Sequence, residues 1–377
     1  MEFDAYNSYM EVDLGILAKN YDTVKDFIGP EHGLIPVLKS NAYGLGTQAM
    51  AGFYLNECKT RIVACAQVLE GLEMREAGYS DCDILVMGGV PDHLLRYVVE
   101  YDLQIPIFTA EGVRKLSAAA RLAGKRANTQ LKIETGLGRI GVKPGAGLDN
   151  LLAEVRSAGN INVCGLFTHF SSATAQDDPF TYEQYGIFRQ ALDQIAPACL
   201  DLIYIHCCNT AASSWFKEGY HTHIRVGCII MGYDYGTPAK PPYVEEPVSW
   251  RSFITHIHEI RAGESCGYYR FYKAEKDTRV AIVGVGYGDG LSMPLATGGG
   301  PVLVNDTRTR YLAACMDQCF IDVTCVDCKT GDEVTLYGRS RGGAALPMQE
   351  LKQISGQGFL SMLVSLNHRV KRIYVNQ

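Results

Sequence analysis

Short apolar runs alternate with helix-length spacers through the first two-thirds of the chain. The runs occupy residues 34–38, 61–66, 84–87, 104–108, 130–134, 163–167, 202–206 and 224–230. Runs of this length, bounded by turn residues, read as buried strands, and one of the spacers, 111–122, ends at the stop signal Gly124. Eight such β/α units over about 200 residues predict an α/β fold, a (β/α)8 TIM barrel. A doubly wound parallel sheet is the alternative, because sequence alone does not count closure. A further strand at 9–14 and a helix at 16–27 precede the series.

The pattern changes at Pro238, Pro241 and Pro242, which mark a linker. Beyond it, strand-like runs at 250–261, 279–285, 301–304, 320–326, 333–336 and 370–375 surround one helical stretch, 348–354. The reading is two domains: a barrel over 1–238 and a mostly β C-terminal domain over 239–377, with the strand at 9–14 a candidate to join the second. A chain of 377 residues is too long for one ordinary core.

Composition narrows the classes. The chain is 47% hydrophobic and 20% charged, as globular proteins are. No apolar run reaches the roughly 20 residues of a membrane span. The start, Met1-Glu-Phe-Asp, has neither the basic nor the apolar part of a secretion signal. A net charge of −6 argues against nucleic acid as a partner. Thirteen cysteines without repeated spacing read as reduced thiols of a cytoplasmic protein. Cys325 and Cys328 have CxxC spacing, but no second pair or nearby histidine completes a zinc site, so no metal is expected.

Chemistry concentrates at the ends of the runs. In VLKSNAYGLG, 37–46, an apolar run delivers Lys39 to its end, followed by Tyr43 and two glycines. A lysine against a low-dielectric wall has its ammonium form disfavoured and its amine freed as a nucleophile. Such an amine forms Schiff bases with carbonyls, of which pyridoxal 5'-phosphate (PLP) is the common cofactor example. The plain alternative is a lysine that snorkels to water. KIETGLGRIG, 132–141, contains GxGxxG, but Val142-Lys-Pro follows where a dinucleotide fold needs a helix. LFTHFSSA ends the sixth run with His169, which a satisfied polar role would also explain. In HCCNTAASS, Asn209 and Thr210 stand where a helix begins, as phosphate ligands or as an ordinary cap. In the eighth run Arg225 lies among apolar residues, where a surface charge is out of place.

Taken together these stretches resemble the alanine racemase family, PLP enzymes built of a barrel and a second β domain. The resemblance rests on KSNAYGLG, KIETGLGRIG, THF, NTAA, RVG, GESCGYY, VGYGDG and CMDQ, in order from about Glu11 to Tyr374. It implies that Lys39 carries PLP covalently and that Tyr43 contacts its phosphate. His169 lies beneath the cofactor in a network with an arginine. Asn209, Thr210, Gly227 and Cys228 serve the phosphate side, and Arg225 faces the pyridine nitrogen where most PLP enzymes place a carboxylate. Arg139 sits beside the cofactor hydroxyl and the substrate carboxylate. Lys132 matches a lysine that is carbamylated in some members. Tyr268 is the second acid/base, with Tyr269 as the alternative register, and it enters a partner's barrel, so a homodimer is implied. Tyr287 lies at the substrate entrance, and Met316 offers its backbone N–H to the substrate carboxylate.

The implied activity is racemisation of alanine, supplying D-alanine for peptidoglycan precursors. One departure bears on the substrate. The family has a C-terminal tyrosine that contacts the phosphate and narrows the pocket, whereas this chain has none between Tyr337 and Tyr374. The stretch 355–361, SGQGFLS, stands there, and a wider or more polar pocket would admit serine. The racemase domains of membrane-bound serine/alanine racemases from glycopeptide-resistance clusters depart at the same place. A PLP-dependent decarboxylase of similar barrel and a non-catalytic PLP carrier are the alternatives.

Overall fold

The computed structural model describes residues 5–233 and 244–376. The linker read at residues 238–243 lies outside the described residues. The chain forms two compact units. One gathers the described parts of Met1–Leu17, Tyr43–Leu45 and Glu245–Gln377; the other holds those of Ala18–Ala42 and Gly46–Val244.

The strand β1, Ser8–Asp13, opens the first unit. The second unit is a closed ring of eight parallel strands: β2 Gly33–Pro36, β3 Ile62–Cys65, β4 Asp83–Val86, β5 Ile105–Ile107, β6 Ala127–Lys132, β7 Ile161–Phe167, β8 Tyr204–His206 and β9 His223–Val226. Pairing runs β5-β6-β7-β8, with β3 on β4 and β2 on β9 in separate ladders. Single bridges join the pieces, Val37 to Ala64 between β2 and β3, and Leu85 to Gln104 between β4 and β5. The last gap closes where Thr222 N donates to Ile205 O at 3.1 Å and Arg225 N to Cys208 O at 3.2 Å. The sheet is therefore a barrel and not an open doubly wound sheet. Ile35, Ile62, Ala64, Leu85, Cys164 and Tyr204 form one buried cluster of it.

The helices follow from spacing. Ala110–Leu122 buries Val113, Leu116, Ser117 and Ala120, an i, i+3, i+4, i+7 face. Its cap is Thr109, whose Oγ1 accepts from Gly112 N at 3.0 Å. The eighth apolar run is strand only to Val226. From Cys228 it turns, with Met231 N bonded to Cys228 O, so Ile229 and Ile230 are buried by a turn.

The other unit is mainly antiparallel. Its strands are β10 Val248–Ile260, β11 Ser265–Cys266, β12 Tyr272–Lys273, β13 Thr278–Val283, β14 Pro301–Val304, β15 Thr307–Ala314, β16 Cys319–Asp322, β17 Glu333–Arg339, β18 Ala345–Leu346 and β19 Lys371–Val375. The long β10 pairs with β17 through its first half and with β13 through its second, which closes the ring β10-β17-β14-β15-β16-β13. β1 lies antiparallel on β10 and parallel to β19. Arg251, almost wholly buried, ties three strands by ion pairs to Glu11 at 2.9 Å and Glu333 at 3.3 Å. Phe359–Val364 is a short helix that buries Phe359, Met362 and Leu363.

Candidate active site

Lys39 follows β2 after two residues and opens an unusual turn. Ser40, Asn41, Ala42 and Tyr43 all have φ between 50° and 56°. Left-handed geometry costs roughly 1–2 kcal/mol for each residue with a Cβ, so the surroundings must hold it. Ala42 N bonds Leu38 O at 2.8 Å and Gly46 N bonds Asn41 O at 3.0 Å. Asn41 Oδ1 accepts from Thr47 N at 2.9 Å, and Glu70 Oε1 accepts from Ser40 N at 2.5 Å. The expectation of a lysine walled in by apolar residues needs correction: Lys39 is exposed. The strand stops at Pro36, and the left-handed turn takes over before a wall can form around the side chain. Tyr43 is buried, within the other unit.

The buried lysine of the barrel is Lys132, at the end of β6 and only 2% exposed. Its Nζ lies 4.7 Å from the Phe167 ring centre. Burial, then the charges of Arg225 and Arg139, hold its pKa well below the usual lysine range.

Arg225, on β9, is the most committed side chain of the site. Its NH1 donates to His206 Nδ1 at 2.6 Å and to His206 O at 3.2 Å. Its NH2 donates to Thr168 O at 2.8 Å, Cys207 O at 3.0 Å and His169 Nδ1 at 3.2 Å. The Nε–H takes part in none of these bonds. Burial pulls the guanidinium down to about 10, so it remains charged at neutral pH. Burial and then Arg225 hold His206 and His169 well below the usual histidine range. Beyond His206 the chain of bonds continues inside the barrel. His206 Nε2 meets Gln130 Oε1 at 2.8 Å, and Gln130 Nε2 meets Gln104 Oε1 at 2.7 Å. Phe167 stacks on His206 at 5.0 Å between ring centres.

Thr210, Gly227 and Cys228 are all buried. Gly227 N reaches Thr210 Oγ1 at 3.4 Å, which puts a hydroxyl and a backbone N–H side by side. Asn209 acts as a cap, its Oδ1 accepting from Ala212 N at 3.0 Å. Arg139 is exposed. The glycine turn before it is already filled by a carboxylate of this chain: Glu134 Oε1 accepts from Gly136 N at 2.5 Å and Gly138 N at 3.1 Å, and Oε2 from Arg139 N at 3.3 Å. Burial opposes the charge, yet these N–H groups hold Glu134 below the usual carboxylate range. A dinucleotide phosphate has no place there.

In the β unit, Tyr268 and Tyr269 stand side by side and exposed, at 68% and 102%. Tyr287 and Met316 are also exposed, on loops in backbone contact: Gly288 N donates to Met316 O at 2.8 Å. Among the described residues no group of His, Cys, Asp and Glu is arranged to hold a metal ion.

The sequence reading did not single out Thr168, Gln130, Gln104 or His206. Lone polar residues inside apolar strand runs were the available signal, because a buried polar group needs partners.

The family model for the alanine racemase N-terminal domain matches residues 12–235, and that for the C-terminal domain residues 247–374. The chain belongs to the alanine racemase family. It is 31% identical to an alanine racemase of Clostridium perfringens over 97% of this chain and 95% of the relative. It is 32% identical to one of Halothermothrix orenii, over 98% and 97%. Among solved structures, alanine racemase of Bacillus anthracis with bound L-Ala-P aligns at a TM-score of 0.92 and 27% identity, covering 100% of this chain and 96% of that one. The enzyme from a D-cycloserine-producing Streptomyces lavendulae aligns at 0.90 and 28%, covering 100% and 98%.

The alanine racemase family is PLP-dependent, and the barrel fits that cofactor. A pyridine nitrogen needs a free donor, and among the described residues the Nε–H of Arg225 has no partner. A phosphate needs neutral donors, and the Thr210 hydroxyl and the backbone at Gly227 and Cys228 are groups of that kind, uncharged and side by side.

Proposed function

We propose that this protein is a PLP-dependent racemase that interconverts L- and D-alanine, with serine as a second substrate. The observation that carries the reading is Arg225. A charged guanidinium with five bonds from NH1 and NH2 leaves only Nε–H for the cofactor ring. A decarboxylase wants a carboxylate at this position, to make the ring a strong electron sink. A PLP carrier has no use for the β unit that presents Tyr268.

Bound PLP supplies a ring that withdraws electrons from Cα and so eases removal of its proton. Arg225 would meet the pyridine nitrogen and, because a guanidinium only donates, would leave it unprotonated, a weaker electron sink than a carboxylate partner would give. Lys39 would hold the cofactor, and its amine would serve as one base at Cα. Tyr268 of the partner subunit is the other. For L-alanine the Tyr268 oxygen would take the Cα proton, and Lys39 Nζ would give a proton to the opposite face; the roles reverse for D-alanine. Tyr43, Asn209, Thr210, Gly227 and Cys228 would hold the phosphate, and His169 would stand on the ring side. Arg139 and the Met316 N–H take the substrate carboxylate, with Tyr287 at the entrance. The homodimer follows from this sharing, and the exposed Tyr268, Tyr269 and Phe271 suit an interface.

Serine is proposed because no tyrosine lies between Tyr337 and Tyr374. The domain limits 1–238 and 239–377, with β1 in the second domain, and a cytoplasmic location belong to the same reading. All thirteen cysteines are free thiols, and no helix among the described residues is long and apolar enough to cross a membrane. The test is chiral product analysis with L-alanine and L-serine in parallel. Formation of D-alanine is expected, with slower D-serine; release of carbon dioxide instead, or no reaction, removes the proposal.

A further inference from the structure

Three loops of the β unit are laced together by hydrogen bonds. Tyr287 N donates to Cys315 O at 3.2 Å, and Gly288 N to Met316 O at 2.8 Å. The approach demands glycine: a Cβ on Gly286 would stand 2.4 Å from both Cys315 O and Met316 O. The third loop joins through Asn367, whose N donates to Asp289 O at 3.0 Å and whose Nδ2 donates to Gly288 O at 3.2 Å.

Arg369 fastens the arrangement. Its Nε donates to Asp289 Oδ1 at 3.0 Å, with NH2 at 2.9 Å from the same oxygen. Its NH1 donates to Asp317 Oδ1 at 2.7 Å. Asp289 is buried, and its other oxygen accepts from Gly286 N at 2.9 Å. Asp317 is mostly exposed. One guanidinium thus reaches from a buried anchor to the carboxylate next to Met316 in the chain. A fork with several fixed donors can do this; a single ammonium cannot match both ends.

The consequence falls on one N–H. In a trans peptide the N–H of Met316 points opposite to the carbonyl of Cys315. That carbonyl is held by Tyr287 N, so the N–H is turned away from the Tyr287 loop. Among the described residues it donates to nothing.

We propose that Arg369 is a positioning residue for the substrate carboxylate: by holding Asp317 against Asp289 it fixes the direction of the Met316 N–H. The proposal rests on the reading above that this N–H receives the carboxylate. Without Arg369 the loop at 315–318 loses the side-chain brace that holds it against the Tyr287 loop, the 3.2 Å bond from Tyr287 N to Cys315 O is no longer backed, and the donor loses its aim.

The test uses the PLP-loaded dimer with Arg369→Leu and Arg369→Lys, and propionate, which is alanine without its amine, as a carboxylate probe. For Arg369→Leu, KM for L-alanine and the propionate inhibition constant should rise together by about tenfold. The kcat value, PLP occupancy and melting midpoint should stay near wild type, and Arg369→Lys should recover only part of the loss. If the leucine variant fails to fold, Asp317→Ala removes the outer anchor alone and should raise the propionate constant likewise. Propionate binding unchanged in these variants, or a rise seen only with loss of PLP and a lower midpoint, overturns the role of Arg369. If the wild type does not convert L-alanine, the underlying reading fails instead.

Discussion

Arg225 and His206 are joined by a 2.6 Å bond from NH1 to Nδ1, and that bond fixes a tautomer. A guanidinium only donates, so Nδ1 must accept and the ring proton must sit on Nε2. Nε2–H then donates to Gln130, and Gln130 to Gln104, so every donor in the chain points the same way. Bonds aligned like this polarise one another in a low-dielectric interior. His169 meets Arg225 by the same logic through its own Nδ1.

Both histidines are therefore kept neutral in the folded barrel, and stability should depend on pH accordingly. Their folded pKa values lie below the unfolded value near 6.5. Between the two values the unfolded chain binds more protons than the folded one. Stability should thus fall as pH drops below about 6.5, by up to about 1.4 kcal/mol per pH unit for each histidine. Above that pH neither contributes a slope. Burial also pulls His223 down to about 4, so three histidines share the slope. Melting curves from pH 7 to pH 5 test this, and His206→Gln, which keeps an acceptor for Arg225, should lose about a third of the histidine slope. A slope equal to wild type in that variant would mean that other groups carry it.

Lys39→Ala should abolish racemisation and the visible absorbance of lysine-linked PLP. The fold should survive, because Lys39 is exposed. A variant that keeps the visible band and near-normal turnover would show that another amine holds the cofactor, with Lys132 the first to examine.

Tyr268→Phe should keep PLP bound and lose exchange of the Cα proton of L-alanine, with a rate loss of about 10²–10⁴. Exchange from D-alanine should suffer less at first turnover. Both tyrosines are exposed, and Tyr269 has φ 57°, so the side chains leave the backbone in different directions. If Tyr269→Phe gives this phenotype and Tyr268→Phe does not, the assignment moves by one residue.

Much of the architecture was legible because buried parallel strands are continuous apolar runs. The parallel β3 and β4 fall within a residue or so of the expected limits, and so does β14, an antiparallel strand buried at every position. β15 was missed because its first half, Thr-Arg-Thr-Arg, is polar and mostly exposed. The helix Phe359–Val364 was missed because six residues are too few to show a helical period. At the site, Arg225 stood out as a charge inside an apolar run. The polar chain from His206 to Gln104 did not, because each member is a single residue on a different strand, brought together only by barrel closure. Lys39 was placed correctly in sequence but given the wrong surroundings, since nothing in Ser40–Tyr43 announces a left-handed turn.

Lys132 yields a final prediction. Its amine is buried, lies over the Phe167 ring, and is held well below the usual lysine range by burial and by Arg225 and Arg139. No carboxylate is within ion-pair distance of it among the described residues. An uncharged amine is the form that attacks carbon dioxide: the C–N bond forms, a proton is released, and Nζ becomes an anionic carbamate. Two guanidinium groups that disfavour the ammonium would favour that anion, so the same charges that discourage one state encourage the other. Enzyme equilibrated with ¹³C-labelled bicarbonate at neutral pH should show a carbamate carbonyl resonance, absent in Lys132→Met and lost on acidification. Without Lys132, Arg139 would lose the carbamate as a partner, and KM for alanine should change more than kcat. If the labelled wild type shows no carbamate signal, Lys132 acts as an uncharged spacer between the two arginines, and Lys132→Met should then leave KM unchanged.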